Sequence, residues 1–449
     1  MVVWAHQELS GWGRHPVITA PCARPERRSE LFAAFRDARE DGLIPFGLGR
    51  SYGDAALSRE GRVILTRRLD RMLDFDEDTG WLRCEAGVSI EDLIDTFAPR
   101  GFFPPVVPGT KFVTVGGAIG CNIHGKNHVT QGCFGDHLRS MEILVGDGTV
   151  VTCSREDHPE LFWATIGGMG LTGLVIAAEL CLTPVESQAI VMESIRFEDL
   201  SEFFEIASTS RDITHTVAWI DCLSPGGRGI FMRGRHATAD EARDLQPGVL
   251  AGLADRVKAV ADGRFFGSNH LLNPVTIAAF NEVYFRRHPR GAQESVVGLD
   301  PFFFPLDAVE HWNHIYGDRG FLQYQMVVDD REAVRECLRQ ISETGMASFL
   351  AVIKEFGDHD HGGLSFPRRG VTLALDFPHV GEELIELMGR LDEVVIAAGG
   401  RVYLGKDARL PLDSFRRMYP RWEEWKAVRD RYDPDGVFRS ELGRRLCLC

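Results

Sequence analysis

Three glycine-rich stretches are the places where this backbone could meet a ligand directly. The first, Gly47-Leu48-Gly49-Arg50-Ser51-Tyr52-Gly53-Asp54, follows a short apolar run, and its glycines free successive N–H groups to turn toward an anion. A pyrophosphate cradle and a plain structural turn both fit that loop. Its spacing is neither G-x-G-x-x-G nor G-x-x-x-x-G-K-[ST]. The second runs from Pro108-Gly109-Thr110 through Val115-Gly116-Gly117-Ala118 into Cys121-Asn122-Ile123-His124-Gly125-Lys126-Asn127-His128. Small residues at Gly116, Gly117, Ala118 and Gly120 would let a large planar ligand approach the backbone, with Thr110, Thr114 and Asn122 offering hydrogen bonds. Gly167-Gly168-Met169-Gly170 continues the pattern.

Metal chemistry finds less support. His124, His128 and His137 are near one another in sequence, but no carboxylate or thiol completes a set, so no metal is expected. The ten cysteines lack CxxC spacing and read as reduced, packed thiols. The terminal Cys447-Leu448-Cys449 has neither C-a-a-X form nor a partner pair.

Positioning such loops takes a mixed α and β framework. Ser29 to Arg39 has helical apolar spacing, and Leu43 to Gly47 reads as a strand ending in a turn. Arg62 to Thr66 and Trp81 to Glu85 read as strands, and Ser89 to Phe97, acidic in its first turn, as a helix. Met141 to Val145 and Thr149 to Thr152 flank Gly146-Asp147-Gly148 as a hairpin, and Leu174 to Leu182 is a further strand. From about residue 186 the glycine clusters thin out. Ser187 to Phe197, Phe321 to Val328 and Val371 to Phe377 look like strands, and Arg331 to Thr344 and Gly381 to Ala398 like helices covering one face of an antiparallel sheet. At 449 residues the chain exceeds one ordinary core, so length alone favours two domains or one large α/β unit; the change near residue 186 reads as a second domain, and the expected class is α+β.

A net charge of −15 argues against a nucleic-acid binder. The first sixteen residues carry Trp4, His6, Glu8 and Arg14 and no apolar run, so neither a secretory signal nor a membrane span is expected there, and the default location is cytoplasmic.

Together, GLGRSYGD, PGTKFVTVGGAIGCNIHGKNH, FGDHLRSMEIL and ELFWATIGGMGLTG resemble the vanillyl-alcohol-oxidase (PCMH-type) FAD-binding family. Within it the chain looks most like the decaprenylphosphoryl-ribose 2'-oxidases, almost from end to end, through FLQYQ at Phe321, SFP at Ser365, LGKDAR at Leu404 and MYPR at Met418. The resemblance implies an FAD domain made from residues 1–185 and completed by 401–449, with a substrate domain of antiparallel sheet, 186–400, inserted between. It implies that FAD lies against Pro45-Phe46-Gly47-Leu48-Gly49-Arg50-Ser51-Tyr52-Gly53-Asp54-Ala55 and Thr114-Val115-Gly116-Gly117. Gly109, Cys121-Asn122-Ile123-His124, Val175 and Tyr403 would stand nearby. Lys406 matches the essential lysine and Tyr52 the active-site tyrosine, while Lys126, His124, Trp219, Gln325, Lys354 and Ala374 match the substrate pocket. FAD is expected to be dissociable although relatives attach it through a histidine, and a short-chain reductase partner and a peripheral position at the membrane are implied.

The chain departs from the family pattern in the pocket. Ala374 stands where the similar enzymes carry cysteine, so a thiol-directed inhibitor would lose its target there. Ala351 and Thr372 replace asparagines, and Phe304 a histidine. These changes leave open a different polyprenyl chain or pentose, an oxidase of free alditols or aldonolactones, or a flavin-binding scaffold without turnover.

Overall fold

In the computed structural model, which describes residues 2–244, 274–348 and 350–449, the glycine loops lie at the ends of strands of two smaller sheets and face a larger one. The first sheet has Ala5–Ser10 antiparallel to Val17–Ala23, which runs parallel to Arg62–Leu65, itself parallel to Leu43–Phe46. Apolar alternation on Val17–Ala23 buries Ile18, Ala20 and Cys22, and helix Arg28–Ala38 covers the sheet with Leu31, Ala34, Phe35 and Ala38. The second sheet is antiparallel and five-stranded, and it contains the expected hairpin as Leu138–Leu144 against Val150–Ser154. Its central strand Leu174–Cys181 is apolar almost throughout because both faces are covered. Helix Ile90–Phe97 packs beside it and opens with a capping box, Ser89 accepting from the Asp92 amide and Asp92 from the Ser89 amide.

The third sheet has eight strands among the described residues, every adjacent pair antiparallel. At its centre Phe321–Val328 pairs with Gly370–Pro378, and Ala351–Phe356 with the other edge of that strand. Helices Arg331–Thr344 and Glu382–Ala397 lie on one face and bury Val334, Leu338, Leu387 and Leu391 against it. The other face looks toward the glycine loops.

After the edge strand Arg401–Val402 the chain returns to the first sheet. The Leu43 amide donates to the Val437 carbonyl at 2.8 Å, and the Arg439 amide to the Leu43 carbonyl at 2.9 Å. Arg445 binds both oxygens of Asp54, at 2.9 and 3.0 Å, and reaches Asp407 at 3.0 Å. Among the described residues no helix is long and apolar enough to cross a membrane.

Candidate active site

A single cleft runs between the glycine loops and the open face of the large sheet. Its floor is nearly bare backbone at Gly47, Gly49, Gly116, Gly117, Gly120 and Gly170, with Pro45, Phe46, Leu48, Arg50, Ser51, Ala55, Gly109, Thr114, Cys121, Ile123 and Val175 along the sides. The close approach of the loops requires glycine: a Cβ on Gly47 would stand 2.5 Å from Thr114 Oγ1, and one on Gly53 only 1.8 Å from the Asp407 carbonyl oxygen.

Antiparallel register builds the opposite wall. Gln325 lies opposite Ala374 and Gln323 opposite Asp376, while Lys354 lies opposite Thr372 on the next strand. Directly opposed residues share a face, so one row of polar side chains points into the cleft from otherwise apolar strands. The Gln325 amide donates to His124 Nε2 at 2.9 Å and to Thr372 Oγ1 at 3.1 Å. His124 must therefore carry its proton on Nδ1, and that donor is buried without a partner.

Tyr52 and Lys406 meet at one end. The Tyr52 amide donates to the Gly405 carbonyl at 3.1 Å, and Lys406 Nζ sits over the Tyr52 ring, 3.7 Å from its centroid. Withdrawal from water lowers the Lys406 ammonium to about 8, against the opposing pull of Asp376. Burial raises Asp376 to about 7, although Gln323 donates to one oxygen and Lys406 lies near; its other oxygen has no partner. Burial drives the Tyr52 phenol well above its ordinary value, so it stays protonated. Loss of solvent also brings Lys354 down to about 7 and Lys126 to about 8.

The cleft fits FAD. Bare glycine backbone suits the diphosphate, the long apolar sides suit a planar ring, and the orphaned His124 donor provides an unsatisfied polar group for it. Tyr403 closes this region from the C-terminal segment, its hydroxyl donating to the Cys121 carbonyl at 2.8 Å.

Five expected residues do not line the cleft. Asp54 is engaged by Arg445, Val115 is core, and Asn122 donates to Ser365 Oγ at 2.8 Å while accepting from the Gly135 amide at 3.1 Å. Lys126 Nζ donates to the Phe303 carbonyl at 3.0 Å, and Trp219 packs with Ile230 and Phe285. Ala351 also leaves the pocket, since it opposes Leu375 on the far face of the sheet; Val352 takes the inward position. Phe304 is buried in the core of the N-terminal region. The expectation that no thiol or carboxylate accompanies the histidines does not hold for His128, because chain folding brings Cys133 Sγ within 3.2 Å of its Nε2, with Asp136 close by. His137 instead contacts the Gln131 carbonyl at 2.9 Å.

Other cleft residues were not singled out from sequence: Trp12, Asp307, Trp312 and Gln323 line it, and Asp376 stands behind Gln323. Polar residues at period two inside the apolar runs Phe321–Val328 and Gly370–Pro378 are the signal that marks Gln323 and Asp376.

Comparison with known proteins gives the family. The FAD binding domain family matches residues 20–154, and the D-arabinono-1,4-lactone oxidase family matches residues 379–446. The chain is 39% identical to the decaprenylphosphoryl-β-D-ribose oxidase of Mycolicibacterium smegmatis over 98% of each chain. It is 28% identical to the mitochondrial L-galactono-1,4-lactone dehydrogenase of Brassica oleracea over 41% of this chain and 30% of that one. It is 26% identical to the D-arabinono-1,4-lactone oxidase of Eremothecium gossypii over 42% and 36% respectively. The first similarity spans both the glycine loops and the lysine loop, and the protein belongs to the decaprenylphosphoryl-β-D-ribose oxidase family of FAD-dependent, vanillyl-alcohol-oxidase-type flavoproteins that oxidise sugars.

Proposed function

We propose that this enzyme oxidises the 2'-hydroxyl of a polyprenyl-phosphoryl-ribose to the 2'-keto sugar, the first half of an epimerisation to arabinose that a separate short-chain reductase completes. The observation that carries the chemistry is Lys406, held over the Tyr52 ring at 3.7 Å with its ammonium lowered to about 8. Bound FAD supplies the acceptor for the hydride that leaves the alcohol carbon. Neutral Lys406 accepts the hydroxyl proton, and the protonated Tyr52 phenol orients the alcohol by hydrogen bonding. Gln325 and Lys354 hold the sugar from the sheet side, and Lys354, whose ammonium form a bound phosphate would favour, offers positive charge to the substrate phosphate. His124, with Nε2 engaged by Gln325, holds FAD without a covalent bond.

We take residues 1–185 with 401–449 as the FAD-binding unit and 186–400 as the substrate unit, supported by the return of the chain to Leu43 and Asp54. A lipid-linked substrate places the working enzyme at a membrane surface as a peripheral protein. A second reading, oxidation of a free aldonolactone, draws support from the lactone-oxidase family match at 379–446.

The test is anaerobic mixing of the yellow enzyme with polyprenyl-phosphoryl-ribose while the oxidised-flavin absorbance is followed. Bleaching by the lipid, and not by soluble lactones or alditols, is the expected outcome. Bleaching by soluble sugars alone would replace the first reading with the second.

A further inference from the structure

The side chains gathered behind His124 belong to no part of the oxidation chemistry. Cys133, Asp136 and His361 place a thiol sulfur, a carboxylate oxygen and an imidazole nitrogen all within 4.8 Å of one another. In a tetrahedral zinc site with bonds of about 2.0–2.3 Å, donor atoms stand roughly 3.3–3.8 Å apart, so a small contraction closes this set around an ion.

Each donor is already aimed. The Cys133 amide donates to Asp136 Oδ2 at 2.7 Å, which fixes the carboxylate beside the sulfur. The His361 ring stacks on Trp163 at 4.7 Å and 15°, and its Nε2 lies 3.1 Å from Asp136 Oδ1, buried and without an aligned hydrogen bond. His359 Nδ1 is 3.6 Å from Asp136 Oδ2 and is in reach as a fourth donor. The gap among these atoms depends on Gly132: with φ at +68°, a Cβ there would lie 2.2 Å from Asp136 Oδ2 and 2.7 Å from His359 Nδ1.

His128 has a different part. The Gly357 amide donates to its Nδ1 at 3.0 Å, so its proton is on Nε2 and points at Cys133 Sγ, 3.2 Å away. That is a hydrogen bond to the sulfur from outside the donor set, of the kind that supports a thiolate ligand. Burial pushes the Cys133 thiol well up, so an incoming cation would have to displace its proton.

We infer that Cys133, Asp136 and His361, with His359 in reach, form a binding site for a borderline-soft divalent cation of the zinc class, distinct from the flavin cleft. Mixed sulfur, nitrogen and oxygen donors select such an ion over magnesium or calcium. The site joins the segment after the second glycine loop to the loop between strands Ala351–Phe356 and Gly370–Pro378, and so clamps the His124 wall of the cleft to the sheet that carries Lys354.

The FAD-loaded enzyme, treated with a chelator, gel-filtered and titrated with zinc chloride, tests this. Atomic emission should count one zinc per chain, lost in Cys133→Ser and His361→Ala, while His128→Ala should weaken binding by about 10–100-fold. His314→Ala, at the exposed stacked pair His311 and His314, should leave zinc unchanged. Zinc-edge X-ray absorption of the unaltered protein should show one sulfur at about 2.3 Å, a reading that does not depend on any variant folding. Substoichiometric zinc, zinc that follows His314 rather than Cys133, or a spectrum without sulfur would each overturn the assignment.

Discussion

At the scale of single residues, the division of labour proposed for Lys406 and Tyr52 follows from where each titrates. A phenol raised well above its usual range cannot take a proton at neutral pH, whereas an amine lowered to about 8 can. Lys406→Ala should reduce kcat by about 10²–10⁴-fold while the visible flavin spectrum persists, checked by steady-state turnover on spectrally matched protein. The fraction of neutral amine grows with pH, so kcat/KM should rise as pH passes through about 8 and level off above it. Asp376 acts through Lys406. Its carboxylate favours the ammonium, so Asp376→Asn should move the rising limb to lower pH; an unmoved limb would show that the carboxylate has only a packing role.

At the scale of elements, the site depends on two loops that touch backbone to backbone. Gly53→Ala would drive a methyl into the Asp407 carbonyl, and the expected cost is at least about 2 kcal/mol in chemical denaturation, with weaker FAD retention. The helices Arg28–Ala38, Arg331–Thr344 and Glu382–Ala397, the hairpin around Gly146-Asp147-Gly148 and the main strands were legible because apolar periodicity reports local structure. The glycine loops were legible for the same local reason, although their ligand was read from family resemblance. What local pattern does not carry is which neighbour a residue meets. Asp54, Val115 and Asn122 belong to the right motifs but turn into the protein, and Ala351 lost its pocket place because strand pairing, absent from a one-dimensional pattern, decides the face. The same blindness hid the set of Cys133, Asp136 and His361, because His361 comes from a loop distant in sequence from the Cys133-Phe134-Gly135-Asp136 stretch.

At the scale of the whole molecule, the active site is assembled from both ends and the middle of the chain. Arg445 is the tie: it bridges Asp54 of the first glycine loop and Asp407 of the lysine loop, both carboxylates almost fully buried. Arg445→Ala would strand two buried carboxylates, and urea unfolding should register a loss of about 3–5 kcal/mol, recovered only in part by lysine, which cannot form the forked contact with Asp54. A last consequence comes from the register of the large sheet. Gln325, Ala374 and Val352 stand directly across three adjacent strands, and Val327, Thr372 and Lys354 form the next rank. These six positions make a two-by-three grid whose spacing is set by backbone hydrogen bonds and not by the side chains themselves. A combinatorial library confined to the five of these positions that line the cleft, Val327 being packed in the core, would vary the outline presented to the sugar while leaving the residues of the glycine loops and Lys406 unchanged, so the fold comes with its own address system for changing substrate.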